Sequence, residues 1–183
     1  MNTIYVAMLR GINVSGHKIV KMEALRSCFA GMGFGKVATY VQSGNVIFEA
    51  ATAGASGLGK KIEAAILREF GFTVPVLVKS ARELAQAVAG NPLAALPGVD
   101  VAKLHVTFLS DPPPKDARER LLPLAAGPER VAIVGREVYL YCPNGYGNTK
   151  LSNTAIEKKL DVGATTRNWK TANTLLKMAT VEK

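Results

Sequence analysis

Four short segments gather most of the side chains that could do chemistry. The first is Gly11-Ile12-Asn13-Val14-Ser15-Gly16-His17-Lys18. A glycine-bearing connection between a strand and a helix can turn backbone N–H groups toward a phosphate. Gly11 and Gly16 have the separation found in the phosphate-binding loop G-x-x-x-x-G-K-[ST]. His17 then intervenes before Lys18, and Ile19 stands where that loop needs a magnesium-binding hydroxyl. These departures displace the lysine and remove a metal ligand, so they argue against an NTPase. The segment could still hold a phosphate or carboxylate with Lys18 and Lys21 nearby. The plainer alternative is a glycine-bearing connection with Asn13 in a tight turn.

The second segment, Gln42-Ser43-Gly44-Asn45, has ordinary hairpin-turn chemistry. Gln42 and Asn45 are also amides that could read a base edge if the turn abuts the first loop. The third and fourth segments, Asn144–Lys150 and Thr165–Asn168, each lead into a predicted helix. Lys150 and Arg167 are therefore expected in first turns, where a cation opposes the helix dipole and Asp or Glu would be favoured. An anion bound beside them would reverse that sign. Thr165 or Thr166 can cap the last helix. The alternative leaves both cations in water and Trp169 in the core.

Other chemistries find no support. His105 falls inside a predicted strand, and His17 has no nucleophile or carboxylate placed beside it by spacing. Cys28 and Cys142 match no metal or redox spacing and read as reduced thiols. The sequence has no H-E-x-x-H, C-x-x-C or G-x-S-x-G and no paired-carboxylate signature. No metal site or cofactor is indicated, and no reaction follows from the residues.

The charge is unevenly placed. Lys and Arg number 23 against 14 Asp and Glu, a net +9. Residues 10–36 hold Arg10, Lys18, Lys21, Arg26 and Lys36 against Glu23, a net +4. Residues 143–183 hold seven cations against three acids, again +4, while 37–142 is nearly balanced. The surplus thus coincides with the polar, glycine-bearing segments, as an electropositive face attracting an anion would require. A generally basic, soluble surface is the other reading.

The elements that must position these segments follow from periodicity. Residues 3–9 form a nearly continuous apolar run, as in a strand buried on both faces. Met22, Leu25, Phe29 and Met32 recur at helical spacing. Val37–Val41 and Val46–Glu49 flank the hairpin turn; Leu58–Phe70 is helical, Val74–Val78 a strand and Ala81–Ala89 a helix. The order β-α-β-β-α-β is the split βαβ, or ferredoxin-like, arrangement.

Asn91-Pro92 and Pro97-Gly98 mark a linker at 91–102. The second half then repeats the pattern. A strand at Lys103–Leu109 leads to a short helix ended by Pro123. A hairpin at Val131–Val134 and Glu137–Tyr141 precedes helices over Leu151–Leu160 and Asn168–Ala179. No fourth strand is evident, since Asp161–Thr165 reads as too short and polar. The fold class expected is α+β, with two ferredoxin-like units at 1–90 and 103–183, the second incomplete or rearranged. The N-terminal apolar run is too short for a signal peptide and no stretch could span a membrane, so a cytoplasmic protein is expected.

Several segments in order carry a resemblance: Leu9-Arg10-Gly11-Ile12-Asn13-Val14, Tyr40–Phe48 around Gln42-Ser43-Gly44-Asn45, Gly145-Tyr146-Gly147, Thr149–Asn153, Glu157–Leu160 and Ala164–Trp169. Together they resemble the bacterial family of the domain of unknown function 1697 across almost the whole chain. Ser15 departs from that pattern, which usually has a second glycine before Gly16. The resemblance implies two ferredoxin-like units and implies no activity or catalytic residues.

The expected site therefore joins Arg10, Asn13, Lys18, Gln42, Asn45, Lys150, Arg167 and Asn168 on converging loops. The cations would neutralise phosphates and the amides would read an edge. The expected partner is an anionic ligand, with nucleic acid as one form. An enzyme acting on a small phosphorylated or nucleotide substrate and a protein-interaction module are the rival readings.

Overall fold

The computed structural model describes residues 2–51 and 55–181. Strand β1 (Asn2–Leu9) is buried without a break from Tyr5 to Leu9, as its unbroken apolar run requires. It is followed by α1 (Met22–Gly31), the hairpin β2 (Gly35–Tyr40) and β3 (Asn45–Ala51), α2 (Ala55–Phe70), β4 (Val76–Ser80) and α3 (Ala81–Ala89). The antiparallel sheet has the order β2-β3-β1-β4, with Tyr5 opposite Phe48 and Ala7 opposite both Val46 and Val78. This is the ferredoxin-like arrangement.

One face of the sheet, with Tyr5, Ala7 and Leu9, shares a core with Leu25 and Phe29 of α1 and Ile62 and Ile66 of α2. Phe48 is its hub. Its ring lies 4.6 Å from Phe34, 5.4 Å edge-on to Phe29 and 5.7 Å from Tyr5. Ser80 and Glu83 close α3 with a capping box: the Ser80 Oγ accepts from Glu83 N–H (3.2 Å) and the Glu83 carboxylate accepts from Ser80 N–H (2.8 Å).

The second sheet contains β5 (Leu104–Leu109), β6 (Arg130–Val134), β7 (Glu137–Tyr141) and β8 (Ala164–Asn168), in the matching order β6-β7-β5-β8. Helix α4 (Ala117–Leu121) lies between β5 and β6, and α5 (Asn153–Leu160) lies between β7 and β8. The second unit is therefore complete in strands, against the expectation that its fourth would be missing. Strand β8 escapes an apolar pattern because threonines stand at its central positions. Thr165 is buried, and the Thr166 hydroxyl bonds Thr107 (2.7 Å) and Asn153 (2.8 Å). What is reduced is the first helix. Alpha-helix α4 has five residues and passes into a 3-10 turn at Leu122–Leu124 around Pro123. The last helix, α6, is Trp169–Thr180.

By contacts the chain divides into Met1–Ala85 with Leu175–Lys183, and Gln86–Thr174, so the division falls within α3 and within α6. Residues 91–102 fall in the second of these units. There Asn91 and Leu93 are buried, and Asp100 caps a 3-10 turn at Val101–Lys103.

The two units repeat one another down to single hydrogen bonds. Leu9 N–H donates to Gly44 O, and Leu109 N–H to Arg136 O. Arg10 N–H donates to Pro75 O, and Ser110 N–H to Gly163 O. The first residues of β4 and β8, Val76 and Ala164, each donate 2.8 Å bonds to a helix glutamate, Glu63 and Glu157 respectively.

Tyr139 supplies a test of the second unit. It is fully buried and its hydroxyl donates to Ala87 O at 2.7 Å. Burial first, and the nearby Glu137 second, push its phenol well above the ordinary range. A raised folded pKa keeps the proton on in the native state while the unfolded chain loses it near pH 10. Stability is thus fully present below pH 10 and falls as pH rises above it. Tyr139→Phe should cost about 1–2 kcal/mol at neutral pH through the lost bond. By about pH 11 the gap to wild type should shrink by about 1.4 kcal/mol, read by urea unfolding at the two pH values.

Candidate functional site

In the first unit the chain leaves β1 and makes a loop whose backbone alternates sharply. Gly11, Asn13, Ser15, Gly16 and Lys18 all have φ between 48° and 77°. Alternation of this kind turns neighbouring N–H groups toward one side, as in anion-binding backbone nests. The tip is closed by a bridge between Val14 and His17, with His17 N–H donating to Val14 O at 2.9 Å.

Asn13 holds the loop together. Its Oδ1 accepts from Val20 N–H (2.8 Å), and its Nδ2 donates to Val20 O and to Gln42 O (both 2.9 Å). Its own N–H donates to Lys18 O at 3.1 Å. The first loop and the hairpin turn are thereby one body. Gly44 fits against that body because it has no side chain: a Cβ there would lie 2.7 Å from Leu9 Cβ and 2.8 Å from Ile12 Cδ1. Asn45 is fully buried and donates to Tyr40 O and Ser43 Oγ, so its amide shapes the turn. Gln42 is exposed.

The Lys18 ammonium reaches the segment before β4, its Nζ donating to Thr73 O at 2.6 Å, and the backbone N–H of Arg10 donates to Pro75 O at 3.0 Å in the same segment. That segment and α2 line a groove of about 430 Å³ bounded by Lys60, Glu63, Leu67, Thr73 and Pro75. The loop does not run directly into α1, which begins only at Met22, and Lys18 is bonded away from any P-loop position.

In the second unit the Asn144–Lys150 loop meets β8 through β5. The Tyr146 ring stacks on His105 at 4.6 Å, and His105 pairs in register with Asn168. Tyr146 Oη accepts from Asn153 N–H at 2.8 Å, while Asn153 Nδ2 donates to Ala164 O at 3.0 Å. Burial lowers the His105 pKa below its ordinary value, with the Lys103 backbone opposing the shift.

The positions of the two cations here correct the sequence reading. Lys150 is exposed and lies two residues before the cap of α5, which is Ser152, whose hydroxyl accepts from Ala155 N–H. Arg167 lies in β8, and the cap at the start of α6 is Asn168, which accepts from Thr171 N–H at 2.7 Å, not Thr165 or Thr166. Neither cation occupies a first turn, so the supposed clash with two helix dipoles is absent. Arg167 is half-buried, donates to Thr166 O at 2.9 Å, and burial lowers its pKa to about 10, still charged at neutral pH.

Of the eight residues proposed from sequence, Arg10, Asn13, Lys18, Gln42 and Asn45 lie in the first unit, and Lys150, Arg167 and Asn168 lie in the second. Asn13, Asn45 and Asn168 spend their amides on the fold. Sequence reasoning missed the polar group of His105, Thr107, Tyr146, Asn153 and Thr166. The Tyr-x6-Asn spacing before a helix was the available signal, but its partners on β5 and β8 are distant in sequence.

Among the described residues no group of three His, Cys, Asp or Glu could hold a metal ion, and no helix is long and apolar enough to cross a membrane. The fold and these loops define an α+β protein of two ferredoxin-like units whose polar loops are braced by asparagines. The chain belongs to the family of proteins of unknown function DUF1697, which matches over residues 1–139. Among solved structures it is similar to the conserved bacterial protein SP0830 from Streptococcus pneumoniae. The TM-score is 0.77 and the identity 22%, over 98% of this chain and 99% of that one. No curated protein matches it.

Proposed function

We propose that the protein binds an anionic partner, nucleic acid being the form that best suits its loops. Arg10 and Lys18, with Gln42, carry the binding in the first unit, and Lys150 and Arg167 supply cations in the second. The observation that carries this reading is the Asn13 clamp, which ties a loop of alternating φ from the +4 stretch of residues 10–36 to the polar Gln42–Asn45 turn. Preorganised donors and cations lose less entropy on meeting an anion than mobile ones.

The test is a salt titration of binding to a labelled, mixed-sequence single strand. Log affinity should fall with log salt at about −0.7 per phosphate contact. Arg10→Ala and Lys150→Ala should each reduce that slope by about one contact, while Lys115→Ala, from the charge-balanced middle of the chain, should leave it unchanged. Equal losses in the control would reduce the effect to general attraction toward a basic protein. The groove beside Lys60 and Thr73 favours a second reading, a small anionic or phosphorylated ligand. Binding without salt dependence would favour that one.

A further inference from the structure

Helix α2 carries two stripes. Leu58, Ile62 and Ile66 are buried in the core that it shares with the first sheet. Lys60, Glu63, Ala64 and Leu67 recur at helical spacing on another stripe, and with Thr73, Val74 and Pro75 they line the groove of about 430 Å³. That volume falls within the range of sites that take small organic ligands, about 300–1,000 Å³. From Lys60 to Leu67 the stripe runs about 10 Å along the helix. Leu67 is 47% exposed, so the fold leaves it open to a ligand.

The apolar part of the lining is aliphatic throughout, being Ala64, Leu67, Val74 and Pro75. It offers no ring on which a nucleobase could stack, and it suits a hydrocarbon chain. The charges narrow the choice further. Lys60 is exposed, and the Lys18 ammonium stands beside the groove with its Nζ 2.6 Å from Thr73 O. Glu63 is the acid of the lining, and its Oε1 accepts from Val76 N–H at 2.8 Å, which ties that carboxylate to the start of β4. Lys60 and Glu63 offset one another, and Lys18 leaves a surplus of one positive charge. A single negative charge complements that surplus. A phosphate monoester carries nearly two at neutral pH and would set the second against Glu63.

We propose that the groove holds a small organic acid, an aliphatic chain ending in one carboxylate. The chain lies along Leu67 and Pro75, and the carboxylate meets the Lys60 ammonium. This rests on the second reading above, an anion in the groove, and names its chemical class. It is independent of the nucleic-acid reading, which the salt titration tests separately.

The experiment is a calorimetric titration of the whole protein with octanoate, hexanoate, octanamide and inorganic phosphate at one ionic strength. Octanoate should bind saturably at one site. Hexanoate, two methylenes shorter, should bind about tenfold more weakly. Octanamide, which keeps the chain and lacks the charge, should bind about fivefold more weakly. Phosphate should not displace octanoate. Ala64→Trp, which fills the groove, should abolish binding, and Lys60→Gln should weaken octanoate to the level of octanamide. Both sites are exposed, so both variants should melt near wild type. Lys61→Gln, whose lysine bonds Met32 O away from the groove, should leave the affinity unchanged.

Displacement of octanoate by phosphate, with octanoate and hexanoate binding alike, would overturn the aliphatic acid and leave the anion in the groove standing. Failure of both octanoate and phosphate to bind would overturn the two together. Octanoate bound equally well by a folded Ala64→Trp would also overturn the proposal, since the chain would then lie elsewhere.

Discussion

Gly44→Ala is expected to destabilise the first unit by about 2–5 kcal/mol, from two separate costs. An alanine at φ +82° is placed in the left-handed region, which costs about 1–2 kcal/mol. Its Cβ would then lie 2.7 Å from Leu9 Cβ, an atom fixed to the backbone of a buried strand. Ile12 Cδ1, at 2.8 Å, can rotate away, but Leu9 cannot. Overpacking against an unyielding neighbour adds about 1–3 kcal/mol. The bond from Leu9 N–H to Gly44 O would lengthen as the turn is pushed outward. In a protein of this size the change corresponds to a fall of roughly 5–15 °C in Tm, read by calorimetry. Gly16→Ala in the neighbouring Gly11–Lys18 loop meets no atom within 4 Å and carries only the conformational cost, so it should fall near the lower of the two components. Equal effects from the two substitutions would mean that Leu9 is not the obstacle.

Legibility from sequence depended on the range over which each residue acts. The continuous apolar run of β1, the bounds of α3 and the Gln42–Asn45 turn come from local pattern and agree with the structure. Strand β8 was illegible because Thr165 is buried despite its polar type and Thr166 is satisfied by partners on other elements, Thr107 and Asn153. A polar run looks like a loop until those partners are known. The cations Lys150 and Arg167 were misplaced for a related reason. A helix start is set by which side chain accepts the first N–H groups, and Ser152 and Asn168 each lie a residue or two beyond the cation. Asn13 was legible as a turn residue from its type. Its bond to Gln42 O, 29 residues away, could be read only from the fold.

Asn13 is also the residue whose loss should disturb most of the candidate site at once. Asn13→Ala removes one acceptor and two donor bonds and leaves an alanine at φ 53°. Val20 is buried, so its N–H would lose the Asn13 Oδ1 that now satisfies it. That unsatisfied donor costs about 1–3 kcal/mol, and the left-handed alanine about 1–2 kcal/mol more. The expected total is about 2–5 kcal/mol by urea unfolding. Asn13→Gly separates the two causes, since glycine accepts the backbone conformation without penalty. It should recover about 1 kcal/mol of the loss while restoring none of the bonds. If the clamp serves binding as proposed, both variants should weaken polyanion affinity severalfold with little change in salt slope, because the cations remain while their positions loosen. Unchanged affinity in a folded Asn13→Gly would show that the loop needs no bracing to meet its partner, and the binding reading would then rest on charge alone.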